Sequence, residues 1–145
     1  MLKDIKSNVD DDAIRELIGY SVFPDPDALE RAIEGYKSDP TLQLFGYESE
    51  DEIVGVIGLS MDDESKKLAI HHLAVKPECR GAGFGRGMIL EAIAPLRPNV
   101  VVAETDEEAV QFYRWIGFEI ESLGESYPGV ERFRCTYDTQ DADGE

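Results

Sequence analysis

Arg80-Gly81-Ala82-Gly83-Phe84-Gly85-Arg86-Gly87 packs four glycines into eight residues, between an extended apolar run (68–75) and a helical stretch reaching about Ala94. Glycine has no Cβ, visits φ > 0 freely and lets backbone N–H groups approach a ligand closely. Where such a loop opens a helix, the unpaired amides and the positive end of the helix dipole form an anion site. Arg80 and Arg86 flank the loop with full positive charge. Glycine content alone leaves two readings open, a tight turn and a cradle for phosphate or pyrophosphate. The P-loop pattern ends in Gly-Lys-Ser/Thr, whereas this loop offers Gly85-Arg86-Gly87. The dinucleotide pattern fits only loosely, because Gly81, Gly83, Gly85 and Gly87 recur at every second position and no acid follows at a suitable distance. The loop is a phosphate cradle of another kind, or a turn.

Working outward, 2–6 reads as a short strand and Asp10-Asp11-Asp12 supplies acids for a helix start. Ala13, Ile14, Leu17 and Ile18 give that helix an apolar face. Pro24-Asp25-Pro26-Asp27 interrupts, and 28–37 reads as a second helix with Leu29, Ile33 and Tyr36 inward. Runs 42–47 and 53–59, joined by the acidic turn Glu48-Ser49-Glu50-Asp51, predict a hairpin. A fourth strand, 68–75, ends before Pro77. After the glycine loop comes a helix stopped by Pro95 and Pro98, then the β-branched run 100–103 of a buried strand. Thr105 and Glu108 match a capping box for a helix carrying Ala109, Phe112, Tyr113 and Ile116 inward and closed by Gly117. Strands at 118–123 and 130–138 follow. The order β-α-α-β-β-β-α-β-α-β-β predicts a single α/β domain over 1–138, with 139–145 a flexible acidic tail.

The chain has 145 residues, 42% of them hydrophobic, which suits one soluble domain. No run approaches the length of a membrane span, and the N-terminus lacks the apolar core of a secretion signal. Cys79 and Cys135 have neither metal-binding nor redox spacing, so the expectation is a cytoplasmic protein with free thiols. A net charge of −17 argues against nucleic acid as a partner. Against that background 65–97 holds six basic residues and two acids, an anion-attracting island. The acidic remainder keeps the protein soluble and favours a cationic second substrate.

Four pieces now stand in order: Leu73-Ala74-Val75 before a proline, the Arg80–Gly85 loop, a strand, and Ala109-x-x-Phe112-Tyr113-x-x-x-Gly117-Phe118. In this order and spacing they resemble the GNAT N-acetyltransferase superfamily, whose loop Arg/Gln-x-x-Gly-x-Gly/Ala is matched by Arg80, Gly83 and Gly85. The resemblance implies the GNAT-like acyl-CoA N-acyltransferase fold, a mixed central sheet of about seven strands flanked by four helices. It implies acetyl-CoA as acyl donor and no metal. Cofactor contacts would come from Leu73 and Val75 on the strand edge and from Arg80, Gly81, Ala82, Gly83, Phe84, Gly85 and Arg86 in the loop. Phe112 packs toward the core and is counted with that set. Pantetheine, an extended amide-bearing arm, can pair with a strand edge as a peptide does. One departure is visible. Where many relatives carry Asn three residues before the Ala, this chain has Asp106, and an acid is unfavourable beside an anion.

Direct attack of an amine on a thioester requires a neutral amine, yet a lysine-like amine of pKa about 10.4 is mostly protonated at neutral pH. A base takes that proton, an N–H donor stabilises the oxyanion, and a proton donor helps the thiolate leave. Tyr113 is placed in the last role by the motif. His71 and His72 are the two histidines and project from opposite faces of their strand; His71 is in phase with Leu73 and Val75, and the resemblance implies that this phase faces the acceptor cleft, which makes His71 the expected base. Glu104 and Glu52 are weaker candidates. No Ser or Cys with an adjacent base is evident, which favours transfer in a ternary complex. The expected reaction is acetylation of a primary amine, small or peptidic, by a monomer or homodimer that binds no membrane. The alternative is a non-catalytic acyl-CoA sensor of the same fold.

Overall fold

A computed structural model describes residues 2–22 and 26–139. Pro24 and Asp25, and residues 140–145 of the expected acidic tail, lie outside the described residues. The strands form a seven-stranded mixed sheet in the order β1-β2-β3-β4-β5-β7-β6, with four α-helices, the expected α/β class. The chain divides into two compact units, one drawn from 1–60 and 71–96, the other from 61–70 and 97–145.

The first unit contains β1 (Leu2–Asp4), α1 (Asp12–Val22), α2 (Pro26–Ser38), β2 (Gln43–Ser49), most of β3 (Glu52–Asp62), the second half of β4 (Lys67–Val75) and α3 (Phe84–Leu96). Ile14, Leu17 and Ile18 recur at helical spacing on α1 and pack with Ile33 and Tyr36 of α2 against Leu44, Val56 and Ala74 of the sheet. Each such buried aliphatic side chain contributes roughly 1.5–3 kcal/mol. β2 and β3 form the predicted antiparallel hairpin. Its turn residues Glu50 and Asp51 both adopt φ > 0, at 52° and 64°, as a twist-matched two-residue turn requires. α3 runs two residues past the expected stop, with Pro95 in its last turn, and ends where Arg97 turns left-handed.

The second unit pairs the first half of β4 with β5 (Val100–Thr105) in parallel, and β5 with β7 (Val130–Asp138) and β7 with β6 (Glu119–Tyr127) antiparallel. α4 (Glu107–Trp115) begins one residue later than a Thr105 cap would place it. Asp106 is the cap instead, its Oδ1 accepting from the Ala109 amide at 3.3 Å. That gives the acid at this position a structural role at the positive end of a helix. The β4–β5 register runs from Lys67↔Val100 to Ile70↔Ala103 and stops there, although both strands continue.

Alternation along β4 buries Leu68, Ile70 and Ala74, and His72 shares their phase. Its Nδ1 lies 2.6 Å from the Tyr36 hydroxyl. Burial pushes the Tyr36 phenol up and the His72 imidazole down to about 4, with nearby His71 adding to the latter. Both groups are neutral at pH 7. Unfolded, His72 titrates near its ordinary value of about 6.5, so between there and about 4 the unfolded chain binds the extra proton. Stability from this group is therefore complete above about pH 6.5 and is lost as pH falls to about 4, by on the order of 3 kcal/mol. Urea unfolding across that window should show this slope, and a His72→Gln variant should flatten it. Identical slopes in the two proteins would contradict the assignment.

Candidate functional site

The glycine loop begins where β4 ends. A short 3₁₀ turn over Pro77–Cys79 leads into it, and Gly81 and Gly83 both take φ of 86°, with Ala82 between them. A Cβ at either glycine would meet nothing within 4 Å, so these glycines serve backbone conformation and leave open space above the loop. The first hydrogen bond of α3 runs from the Gly87 amide to the Gly83 carbonyl at 2.9 Å. Helix geometry then leaves the amides of Phe84, Gly85 and Arg86 without intrahelical acceptors. No acidic residue sits in the first turn of α3. No acid of its own first turn therefore compensates the positive end of the helix dipole.

Side chains around the loop divide into anchors and free charge. The Phe84 ring packs on Tyr47 of β2 with centroids 5.5 Å apart, pinning the start of α3 to the sheet. Arg80 folds back: its Nε donates to the Val75 carbonyl at 3.0 Å, and its guanidinium lies 5.4 Å above the Tyr20 ring. Its role is to tie the loop to the end of β4 and to α1. The Lys76 amide reaches the Val54 carbonyl at 2.8 Å, and its ammonium pairs with Glu52, one of the weaker base candidates. Arg86 lies in the first turn of α3 and supplies cationic charge there.

His71 stands on the exposed phase of β4, one residue beyond the end of the β5 register. Its Nε2 is 2.8 Å from the Ser60 hydroxyl on β3. The expectation that no serine adjoins a base is corrected here: the pair is eleven residues apart in sequence and meets across two strands. Desolvation holds the His71 pKa below its ordinary value, against an opposing pull from the Asp39 carboxylate just past α2. Neither Ser60 nor Asp39 carries a signal readable from sequence, because cross-strand register is set by the folded sheet.

In the second unit, Tyr113 is 4% exposed, edge-on to Phe112 at 5.1 Å and to Phe118 at 5.2 Å between ring centroids. Burial raises its phenol well above the ordinary range, with a smaller contribution from Cys135, so the hydroxyl stays protonated at neutral pH. Phe112 is half-buried on the same helix. Glu104, the other weaker base candidate, is exposed and lies 3.6 Å from Arg134. Among the described residues, no helix is long and apolar enough to cross a membrane, and no three His, Cys, Asp or Glu side chains group as a metal site.

Residues 11–118 match the family model described as Acetyltransferase (GNAT) family. An uncharacterized N-acetyltransferase of the lysA 3′ region in Bacillus methanolicus is 31% identical over 71 residues, which cover 49% of this chain and 58% of that protein. The chain spans about half the length of the curated relatives it matches. Among solved structures, a GNAT-family protein from Desulfovibrio desulfuricans superposes with a TM-score of 0.80 at 17% identity, covering 95% of this chain and 98% of that one. A Bacillus subtilis acetyltransferase in complex with CoA gives 0.67 at 19% identity, over 88% of this chain and 92% of the other.

Proposed function

The chain belongs to the acetyltransferase (GNAT) family, and on that premise we propose that it transfers an acetyl group from acetyl-CoA to a primary amine by direct attack. The observation that carries this reading is the loop and helix start at 80–86: two left-handed glycines with open space above them, three amides lacking helix acceptors, and no acid in the first turn. These residues fit a pyrophosphate, which such a terminus binds through N–H donors and dipole together. The β4 segment 71–75, past the end of the β5 register, supplies main-chain groups suited to an extended amide-bearing arm, near Leu73 and Val75.

When bound, acetyl-CoA supplies the activated acyl group; the chain's own residues handle protons and charge. His71, exposed and below its ordinary pKa, is unprotonated at neutral pH and takes the proton of the attacking amine. A β4 backbone N–H is the donor suited to the oxyanion. Tyr113, placed by the motif, keeps its proton because of burial and donates a hydrogen bond to the leaving thiolate. The acidic charge of the chain favours a cationic acceptor.

Calorimetric titration with acetyl-CoA, with ATP as a control for simple phosphate affinity, tests the reading. The expected result is micromolar binding of acetyl-CoA and little response to ATP. A Gly83→Val variant should weaken acetyl-CoA binding at least about tenfold, since a β-branched residue at φ of 86° costs on the order of 1–3 kcal/mol and displaces the helix start. Unchanged affinity in a folded Gly83→Val protein would make the loop a turn only.

A further inference from the structure

The Ser60–His71 contact has no part in the acyl and proton transfers proposed above for His71 and Tyr113. Ser60 is partly buried near the end of β3, and its hydroxyl meets the Nε2 of His71 rather than a backbone carbonyl. A hydroxyl is both donor and acceptor, so it fits this nitrogen in either charge state of the ring. When His71 takes a proton, both ring nitrogens become donors. An oxygen already seated at Nε2 can then accept from it without moving.

We propose that Ser60 is the positioning residue of the catalytic base, holding the His71 imidazole through Nε2 so that Nδ1 receives the proton of the attacking amine. The inference rests on the assignment of His71 as that base. In the resting ring Nε2–H donates to the Ser60 oxygen and the Nδ1 lone pair is free to act. As the new C–N bond forms, the amine proton passes to Nδ1; the electron pair of the breaking C–S bond leaves on sulfur. Ser60 gains and loses no bond. Its oxygen stabilises the imidazolium and so opposes the desolvation that disfavours it. Asp39 beyond α2 favours the charged form of this ring, and the neighbouring His72, whose own pKa burial pushes down to about 4, is neutral near pH 7.

The experiment compares Ser60→Ala, Ser60→Thr and His71→Ala by thiol release from acetyl-CoA against a panel of primary amines, with kcat and kcat/KM followed across pH. Ser60→Ala should lower kcat by about tenfold, the scale of one hydrogen bond, and move the acid limb of kcat/KM to lower pH. KM for acetyl-CoA should stay unchanged. Ser60→Thr, which keeps the hydroxyl, should restore both rate and limb. An unaltered profile in Ser60→Ala, beside a strongly impaired His71→Ala, would overturn the inference and leave the base assignment standing. An unimpaired His71→Ala would remove the base assignment itself. Mass spectrometry after incubation with acetyl-CoA alone supplies a separate arm: an acetyl group found on Ser60 as a kinetically competent intermediate would make that residue a nucleophile and overturn the positioning role.

Discussion

Gly58→Ala should destabilise the protein by roughly 3–5 kcal/mol, combining overpacking of a closed core with disruption of a buried polar pair. A Cβ built on Gly58 would lie 1.6 Å from the Tyr36 hydroxyl oxygen and 2.6 Å from Cζ of the same ring. Tyr36 is 1% exposed and sits among Ile14, Leu17, Ile18, Ile33 and Leu44 in the core of the first unit, so its ring has no solvent-side escape. Moving the ring also breaks its 2.6 Å contact with His72 Nδ1 and strands two polar groups in an apolar setting. Tyr36→Phe loses the hydroxyl but keeps the ring, and it relieves part of the clash. The double variant Gly58→Ala/Tyr36→Phe should therefore be more stable than the two single losses added together. Chemical denaturation of the four proteins measures that coupling. Strict additivity would mean that glycine is needed here for a reason other than the tyrosine.

This glycine shows where sequence reading ends. Helical spacing in α1, the acidic hairpin turn and the β-branched run of β5 were each legible, because local periodicity and turn chemistry dictate them. Gly58 inside a strand offers no local cue: its reason is a hydroxyl from a helix more than twenty residues earlier. The same holds at the helix caps. Thr105 with Glu108 fits a capping box, yet α4 takes Asp106, one residue later. A carboxylate caps as well as a hydroxyl, so the Thr105 box expected from sequence gives way to Asp106 in the folded chain.

The candidate site divides in the same way. The loop's backbone was legible, because closely spaced glycines ahead of a helix permit left-handed conformations, and the structure puts both Gly81 and Gly83 at φ of 86°. The arginine beside it was not. Charge suggests a phosphate ligand for Arg80, whereas its guanidinium folds onto the Val75 carbonyl and the Tyr20 ring. Strand alternation separated the two histidines correctly by phase, with His72 bonded to Tyr36 and His71 exposed. It could not supply Ser60, since partners across β3 and β4 depend on a register that two isolated strands do not specify.

Those two histidines make the second large expectation specific. His71→Ala should reduce kcat by about 10²–10⁴-fold and abolish the acid limb of the rate profile, while leaving acetyl-CoA affinity and the unfolding midpoint nearly unchanged. The direction of the limb follows from the ring's state. As the proposed base, His71 would act when unprotonated, and its pKa is held below the ordinary value, so activity should be full at neutral pH and fall only in the acid range. Tyr113→Phe is the matching test of the donor. It removes one oxygen from a ring packed between Phe112 and Phe118, so the aromatic contacts persist and the loss should appear in kcat alone. It should act with a poor leaving thiolate more than with an activated acyl donor, because a donor to sulfur matters less once the thiolate is already a weak base. His71→Ala should show no such dependence on the leaving group, since it acts on the amine. If both variants respond to the leaving group alike, a shared structural loss would explain them better than two separate proton roles. If neither lowers kcat in a protein that binds acetyl-CoA tightly, neither residue carries a proton in the reaction and both assignments fall.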